Sequence, residues 1–122
     1  MGVAYHSHFV VWFEAARGDL IRSLGLSYRD VEKMGVMMPV AELQIKFMRP
    51  AFYDDLLRVV VTVNELPERR LKTEYEVFNE KDELLCTGMV ILAFINSETR
   101  RPVPAPPFFL DVFKKQESSG NE

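Results

Sequence analysis

A long apolar helix near the amino terminus is the feature that most constrains the fold of this chain. Apolar residues recur there at spacings of three and four, which predicts a helix over residues 8–24. A helix that is apolar on nearly all sides must be buried on nearly all sides, so the rest of the chain is expected to wrap around it. Gly25 is expected to end this helix. Its main apolar face carries Phe9, Phe13, Ala16, Leu20 and Leu24.

The residues that lead into this helix include two histidines, His6 and His8, and a serine between them. The hydroxyl of Ser7 is expected to cap the helix. The first turn of a helix concentrates unpaired N–H groups and a partial positive charge. That environment suits an oxygen that develops negative charge, such as a carbonyl under nucleophilic attack.

A short second helix and a first strand are predicted after Gly25. Ser27 and Asp30 have the spacing of a capping pair, and Gly35 is expected to end the helix that they begin. Strict alternation of polar and apolar residues then predicts a half-buried strand over 42–47. The apolar face of this strand carries Leu43, Ile45 and Phe47.

Three further strands are predicted over residues 56–63, 71–78 and 84–95, with a hairpin turn at 79–82. The last strand is almost continuously apolar and is therefore expected at the centre of the sheet, with Gly88 marking a bulge. The order of elements gives an α+β fold in which four strands form a hairpin meander.

Length and composition narrow the class of protein. A chain of 122 residues with 48% hydrophobic residues is one domain, expected over 1–115, with a short helix at 108–115 and a disordered tail at 116–122. The net charge of −3 argues against nucleic-acid binding. No apolar run is long enough to cross a bilayer, and no secretory signal is evident. The single cysteine, Cys86, permits no internal disulfide, which favours a cytoplasmic location and an inert core thiol.

Two motifs connect this chain with a known family. Residues 2–17, GVAYHSHFVVWFEAAR, resemble the G-V-x-Y-H-x-N-Y-x-x-[WF]-[FL]-E-x-A-R segment of acyl-CoA thioesterases with the hotdog fold. The nearest subgroups are the 4-hydroxybenzoyl-CoA thioesterases and the Tol–Pal-associated acyl-CoA thioesterases. Residues 49–56, RPAFYDDL, are similar to the family's [KR]-P-x-x-[YF]-D-[DE]-x-L. The resemblance covers residues 2–96 and implies an antiparallel sheet wrapped around one long central helix.

The resemblance also implies a catalytic carboxylate outside the given chain. The family has an aspartate three residues before the glycine that matches Gly2, and a first strand before that aspartate. Both positions lie upstream of Met1. We expect a start further upstream rather than a protein without the residue, because loss of an edge strand beside the central helix would expose a long hydrogen-bonding edge.

Three residues of the first motif are candidates for catalysis. The resemblance implies that the backbone N–H of His6 polarises the thioester carbonyl. His8 stands where the family has asparagine, so it either takes over a positioning role that depends on pH or is a tolerated first-turn residue. Glu14 either pairs with Arg17 or faces the pocket, and it is the best substitute if the aspartate is absent.

Basic and aromatic residues are candidates for binding the substrate. Arg49, Arg69 and Arg70 are expected to contact the phosphates of coenzyme A, which is part of the substrate, so no separate cofactor is implied. Tyr5 is assigned to substrate binding, although the aromatic residues suit a core as well as a pocket. No metal site is predicted, because the acidic group at 53–55 suits turn capping and offers too few ligands.

Three functions remain open at this point. The leading hypothesis is hydrolysis of acyl-CoA thioesters, and the main alternative is a non-catalytic module that binds acyl-CoA or acyl carrier protein. A hotdog dehydratase is less favoured, because His6 and His8 precede Glu14 by only eight and six residues, less than that subgroup requires. A homodimer or tetramer with active sites between subunits is expected, since so short a chain cannot cover both faces and all edges of its sheet.

Overall fold

The computed structural model describes residues 6–49 and 56–120, with the side chains of residues 6–8 and 117–120 excepted. Within these ranges the helices are α1 His6–Ser23, α2 Tyr28–Lys33 and α3 Pro107–Gly120. The strands are β1 Val36–Met37, β2 Val40–Phe47, β3 Arg58–Thr62, β4 Arg70–Phe78, β5 Leu84–Ala93 and β6 Ile95–Asn96. The predicted elements are therefore present in the predicted order. The architecture is the expected α+β hotdog arrangement.

The main sheet has the antiparallel order β2-β5-β4-β3. The strongly apolar β5 lies inside the sheet, as predicted. The predicted four-strand meander is wrong, because only β3, β4 and β5 are joined by successive hairpins and β2 pairs with the far side of β5. Hydrophobic alternation identifies a strand but says nothing about which neighbour it will pair with. β1 and β6 form a separate two-stranded ribbon.

The helix α1 packs across one face of this sheet through its aromatic residues. The Phe13 ring stacks on Tyr75 of β4 at a centroid distance of 4.3 Å, and Phe9 meets Phe47 of β2 edge to face at 5.2 Å. Gly88 does not form the predicted bulge, because it pairs in regular register with both Ile45 and Tyr75. A Cβ at this position would overlap the Phe13 ring, so the glycine is there to let the helix approach the sheet.

The predicted burial of α1 on nearly all sides does not occur in the single chain. The buried stripe follows spacings of four, whereas Val11 is 58% exposed and Glu14 and Ala15 are exposed as well. The reason is that one sheet layer covers one face of a helix and leaves the opposite face open. The residues of the buried stripe are Phe9, Phe13, Arg17 and Ile21.

The turns between elements follow the predicted chemistry. The side chain of Ser27 accepts a hydrogen bond from the N–H of Asp30 at the start of α2, and Gly25 and Gly35 have φ values of +79° and +77° after their helices. In the β4–β5 hairpin, the side-chain oxygen of Asn79 accepts two backbone N–H bonds. The predicted cap at Ser7 is wrong, because α1 begins one residue before it.

The carboxyl-terminal helix closes one end of the core. Phe109 is fully buried and its ring lies 5.6 Å from that of Phe94, while Phe113 extends the same contact. α3 runs past Lys115 to Gly120, so the predicted helix end is five residues too early. Sequence signals locate helix ends poorly where no glycine or proline interrupts the pattern. The division into a domain of residues 1–115 and a tail of 116–122 stays a prediction.

Candidate functional site

The start of α1 lies at one end of the sheet. The helix begins at His6, so the backbone N–H groups of His6 and His8 belong to its first turn and have no acceptor four residues earlier within the helix. Phe9 contacts Phe47, and Phe47 pairs with Cys86 near the beginning of β5. The side chains of the two histidines, and all of Tyr5, lie outside what the structure describes.

A buried arginine further along the helix anchors it to the sheet and to α2. Arg17 is only 8% exposed, and its Nη1 donates to the hydroxyl of Tyr75 at 3.0 Å while its Nε donates to the hydroxyl of Tyr28 at 3.1 Å. The Tyr75 hydroxyl also bonds with Thr73 Oγ1 at 2.6 Å, and Thr73 donates to the Val90 carbonyl at 3.3 Å. Burial by itself lowers the pKa of Arg17, but the two tyrosines, Tyr75 first, raise it overall.

These contacts bear on one of the two roles considered for Glu14, its pairing with Arg17. No ion pair joins Glu14 to Arg17 within the described residues, because Arg17 turns inward to the two tyrosines. Glu14 is exposed and lines a cavity beside the helix. The structural ion pair predicted from the spacing of three is therefore wrong. The other role, in the pocket, is the one that the position of Glu14 allows.

That cavity has a volume of about 400 Å³ and lies between α1, α2 and the β2–β5 side of the sheet. Its size is within the range of small-molecule pockets, about 300–1,000 Å³. Its polar lining comes from Glu14, Arg17, Tyr28 and Glu32. Its apolar lining consists of Val10, Val31, Val36, Met38, Val40, Leu43, Val90 and Leu92. An apolar wall with one polar patch suits a ligand that is apolar along most of its length.

The arrangement around Arg17 was missed by sequence reasoning, which placed Ala16, Leu20 and Leu24 on the main apolar face instead. The signal was present, because Arg17 follows Phe9 and Phe13 at spacings of four and so falls within the buried stripe. A charged residue at such a position needs polar partners from other elements. Tyr28 and Tyr75 are those partners, and only the tertiary structure identifies them.

The three arginines expected to bind coenzyme A are not brought together within one chain. Arg49 is exposed, forms an ion pair with Glu83 at 3.1 Å and donates its backbone N–H to Leu85. Arg69 and Arg70 are exposed at the start of β4, where Arg70 pairs with Ala93. From Leu85 to Ala93 the strand β5 extends about 26 Å at about 3.3 Å per residue. Arg49 lies at the end of the sheet where α1 begins, and the other two lie at the opposite end.

A second, more open groove runs between α1 and the free edge of β3. It has a volume of about 680 Å³ and a mainly apolar lining. Trp12 and Ala15 contribute from the helix, and Leu57, Val59 and Val61 contribute from the β3 side. β3 is an outer strand of the sheet, so one side of its backbone has no strand beside it in the described part of the chain.

The remaining sequence predictions concern cysteine, metals and membranes. Cys86 is fully buried, and burial raises the pKa of its thiol to about 11, which agrees with an inert core thiol. In residues 6–49 and 56–120 no group of three or more His, Cys, Asp or Glu side chains is arranged to hold a metal ion. Among the helices described, none is both long and apolar enough to cross a membrane.

Comparison with known proteins agrees with this geometry. "Putative acyl-CoA thioesterase YneP" of Bacillus subtilis (strain 168) is 29% identical over 111 residues, which cover 91% of this chain and 80% of the relative. Acyl-CoA thioester hydrolase YbgC of Escherichia coli O157:H7 is 23% identical over 93% of this chain and 85% of its own length. The solved structure of DHNA-CoA thioesterase from Staphylococcus aureus is 36% identical and superposes with a TM-score of 0.87, covering 99% of this chain and 83% of that one.

A family model extends these pairwise similarities to nearly the whole chain. The model described as the Thioesterase-like superfamily matches residues 1–113, which include both motifs quoted above. The matched range contains α1, the whole of the main sheet and the cavity beside Arg17. The chain therefore belongs to the thioesterase-like superfamily.

Proposed function

We propose that this protein hydrolyses acyl-CoA thioesters to a free acid and coenzyme A. The observation that carries the proposal is the family match over residues 1–113. The cavity of about 400 Å³ supports it, because this cavity begins about one turn from the start of α1, at Val10, and offers apolar walls to an acyl group. The cytoplasmic location expected from the single cysteine stays a prediction.

The start of α1 is the proposed site of carbonyl activation. In this proposal the backbone N–H of His6 donates to the thioester oxygen, and His8 of the same turn adds to the positive potential there. Water adds to the carbonyl carbon while a carboxylate takes one of its protons. The resulting oxyanion then collapses and the C–S bond breaks. The products are the acid and a coenzyme A thiolate, which takes up a proton.

We place the carboxylate in a segment that precedes Met1. The groove beside the free edge of β3 supports this, because its size and apolar lining suit an additional strand. Arg58 pairs with Phe78, and Phe78 pairs with Leu84, so β3 starts at the end of the sheet where α1 begins. A strand leading into α1 has to end there, and it would therefore lie antiparallel to β3. Glu14 is the substitute carboxylate if no such segment exists.

The active unit in this proposal is a dimer formed through β2. This strand is an outer strand of the sheet, and its apolar Val40, Leu43 and Phe47 are about half exposed. Antiparallel pairing of two β2 strands reverses one sheet relative to the other. That reversal brings Arg69 and Arg70 of the partner subunit to the end of the sheet where α1 begins. Coenzyme A phosphates would then be bound by arginines from both chains.

Release of coenzyme A from acyl-CoA tests the proposed activity directly. The chain from Met1 and the chain extended by the residues encoded in frame upstream are each assayed with short-chain, long-chain and aromatic acyl-CoA. We expect turnover by the extended chain and a loss of about 10²–10⁴-fold when its aspartate is changed to asparagine. Glu14→Gln in the same chain is the control for the substitute base. Tight binding of acyl-CoA or acyl carrier protein without turnover by either chain would contradict the proposal and favour a binding module.

Light scattering and sedimentation test the dimer. The molecular mass is expected to be at least twice the 14.1 kDa of one chain at micromolar concentration. Leu43→Lys on β2 is expected to shift the protein toward a monomer, because it places charges in the proposed interface. Val11→Lys is the matched control, since Val11 is more exposed than Leu43 but lies on α1, outside the linings of both the cavity and the groove. A monomeric wild-type protein, or equal effects of the two variants, would rule out the β2 interface.

A further inference from the structure

The buried guanidinium of Arg17 has no anionic partner in the described part of the chain. Its two hydrogen bonds there go to neutral hydroxyls, and the chain of bonds continues through Thr73 to the carbonyl of Val90. A buried cation is costly unless its charge is compensated and its donors are used. Tyr28 and Tyr75 use Nε and Nη1, which leaves Nη2 without a protein acceptor.

Nη2 of Arg17 is a donor without a protein partner in the part of the chain described, on a residue that lines the cavity. Within the described residues, no fully enclosed side-chain nitrogen or oxygen lacks a hydrogen-bond partner. Nη2 has none, so it is not fully enclosed, and Arg17 belongs to the lining of the cavity of about 400 Å³. This atom is consequently available to a ligand.

The Tyr28 hydroxyl supplies a second donor at the same place. Its oxygen accepts from Nε of Arg17, and its own proton has no acceptor among the described residues. Burial raises the pKa of Tyr28, so the hydroxyl keeps this proton at neutral pH. Tyr28 and Arg17 both line the cavity, and because a hydrogen bond joins the Tyr28 hydroxyl to Nε of the same guanidinium, one acceptor oxygen of a ligand can reach both free donors.

The position of Arg17 and Tyr28 sets the distance between the thioester carbonyl and the second polar group of the ligand. The guanidinium reaches Tyr75, whose ring stacks on Phe13. Phe13 follows the first residue of α1 by seven residues, which is about 10 Å at 1.5 Å per residue. A group whose carbonyl lies at the start of the helix meets the two donors about 10 Å further along. The intervening wall is apolar, with Val10, Leu43 and Val90 among its residues.

The two glutamates that line the cavity favour a neutral acceptor group on the ligand over a negatively charged one. Glu14 and Glu32 line the same cavity and are exposed, so the lining has one positive and two negative formal charges. A ligand carboxylate would be repelled by this excess of negative charge. A hydroxyl accepts from Arg17 and Tyr28 and can donate its own proton to a glutamate.

We propose that this cavity selects acyl groups that carry a hydroxyl about 10 Å from the thioester carbonyl, and that Arg17 and Tyr28 are the residues that recognise it. This inference rests on the proposed function for the location of the carbonyl. It assigns Arg17 a role in specificity in addition to its anchoring of α1. The apolar wall binds the part of the acyl group between its two ends, and Arg17 and Tyr28 bind the hydroxyl at the far end.

Binding of thioether analogues tests the inference independently of turnover, because these compounds cannot be hydrolysed. Calorimetry compares S-octyl-CoA, S-(8-hydroxyoctyl)-CoA and S-(7-carboxyheptyl)-CoA, whose extended chains have about the required length. We expect the hydroxyl compound to bind about tenfold more tightly than the octyl compound, as one hydrogen bond to a charged donor allows. The carboxylate compound is expected to bind no better than the octyl compound.

Variants attribute this preference to particular residues. Arg17→Met is expected to bring the hydroxyl-to-octyl affinity ratio to about one, and Tyr28→Phe to reduce it about threefold with unchanged helix content. Arg22→Met is the matched control, because Arg22 lies on the same helix but is exposed and paired with Asp19. Glu32→Gln is expected to improve binding of the carboxylate compound only.

The outcomes separate the two proposals. Equal affinity for the hydroxyl and octyl compounds in the wild type, a preference for the carboxylate, or no binding of any of them would overturn the inference. A preference that survives in Tyr28→Phe and Arg17→Met would do so as well. Failure of all acyl-CoA compounds to be hydrolysed would contradict the proposed function, while the affinity ratio would still decide whether the cavity recognises a hydroxyl.

Discussion

The two faces of α1 both carry large apolar residues near the start of the helix, but these residues have opposite environments. The inward face carries Phe9 and Phe13, which are packed against the aromatic rings of the sheet and are at most 2% exposed. The outward face carries Val10 and Val11, which are 39% and 58% exposed. The same helix thus contributes a core in one direction and an open apolar surface in the other.

This difference shows that one apolar helix can meet two kinds of surroundings. The inward face meets a sheet of the same chain, whereas the outward face borders the groove beside β3 and the cavity next to β2. A sequence is selected for the burial of its residues in the final assembly, which includes any added strand or second subunit. Apolar residues on a helix face therefore do not by themselves show that the face is buried within the chain.

Truncation of one residue on each face of α1 is expected to give the largest difference in the free energy of unfolding. Phe13→Ala is expected to lower the free energy of unfolding by about 3–5 kcal/mol, because a fully buried ring leaves a cavity. Val11→Ala is expected to change it by less than about 0.5 kcal/mol, as at other exposed positions. Urea unfolding monitored by circular dichroism measures both values. Similar losses in the two variants would mean that the outward face is also packed in solution.

Disturbing the close contact between α1 and the sheet at Gly88 is expected to cause a smaller loss of stability. Gly88→Ala is expected to cost about 1–3 kcal/mol, because its Cβ would come within 2.6 Å of Cζ of Phe13, which is itself packed on Tyr75. Thermal unfolding of the variant measures this loss.

The matched control for Gly88 lies on α1 itself. A Cβ at Gly18 meets only the flexible end of Arg22, at 3.3 Å, so Gly18→Ala is expected to be neutral or to stabilise by up to about 1 kcal/mol through helix propensity. Equal melting temperatures for Gly88→Ala and the wild type would show that the inward face is not tightly packed.

The rate at which the Cys86 thiol is alkylated measures how well the core beneath the inward face of α1 excludes solvent and reagent. Its pKa of about 11 leaves about two hundredfold less thiolate at pH 8 than an ordinary cysteine would have, so alkylation by iodoacetamide is expected to be slow and to speed up as the pH rises toward 11. Phe13→Ala is expected to accelerate the reaction, and Val11→Ala is not. Fast alkylation of the native wild type, measured by mass spectrometry, would contradict the closed core.

Much of the fold was predictable because its signals are local. Ser27, Gly25 and Gly35 act on the backbone within a few residues of themselves, and their roles were confirmed. The continuous apolar run of β5 also predicted its inner position correctly. The pairing of β2 with β5 was not predictable in this way, because strands of similar alternation compete for the same neighbour.

The candidate site was predictable only in part. The first motif identified α1 as the helix of interest, and Glu14 lies at the cavity beside it. The predicted pairing of Glu14 with Arg17 was wrong because the Arg17 guanidinium instead donates to the hydroxyls of Tyr28 and Tyr75. These two residues are 11 and 58 positions from Arg17 in the sequence. The functional roles of seven residues stay predictions: Tyr5, His6, His8, Glu14, Arg49, Arg69 and Arg70.

The sequence by itself determined the main helices and strands, the turns at Gly25, Ser27 and Gly35, and the family, because capping, periodicity and motif residues act over short distances along the chain. Only the tertiary structure decided that one face of α1 stays open and that Gly88 makes room for Phe13. It also decided that Arg17 turns from its helical neighbour toward two distant tyrosines. These outcomes depend on which side chains meet across the sheet, and such contacts form between residues whose separation in sequence carries no signal of their proximity.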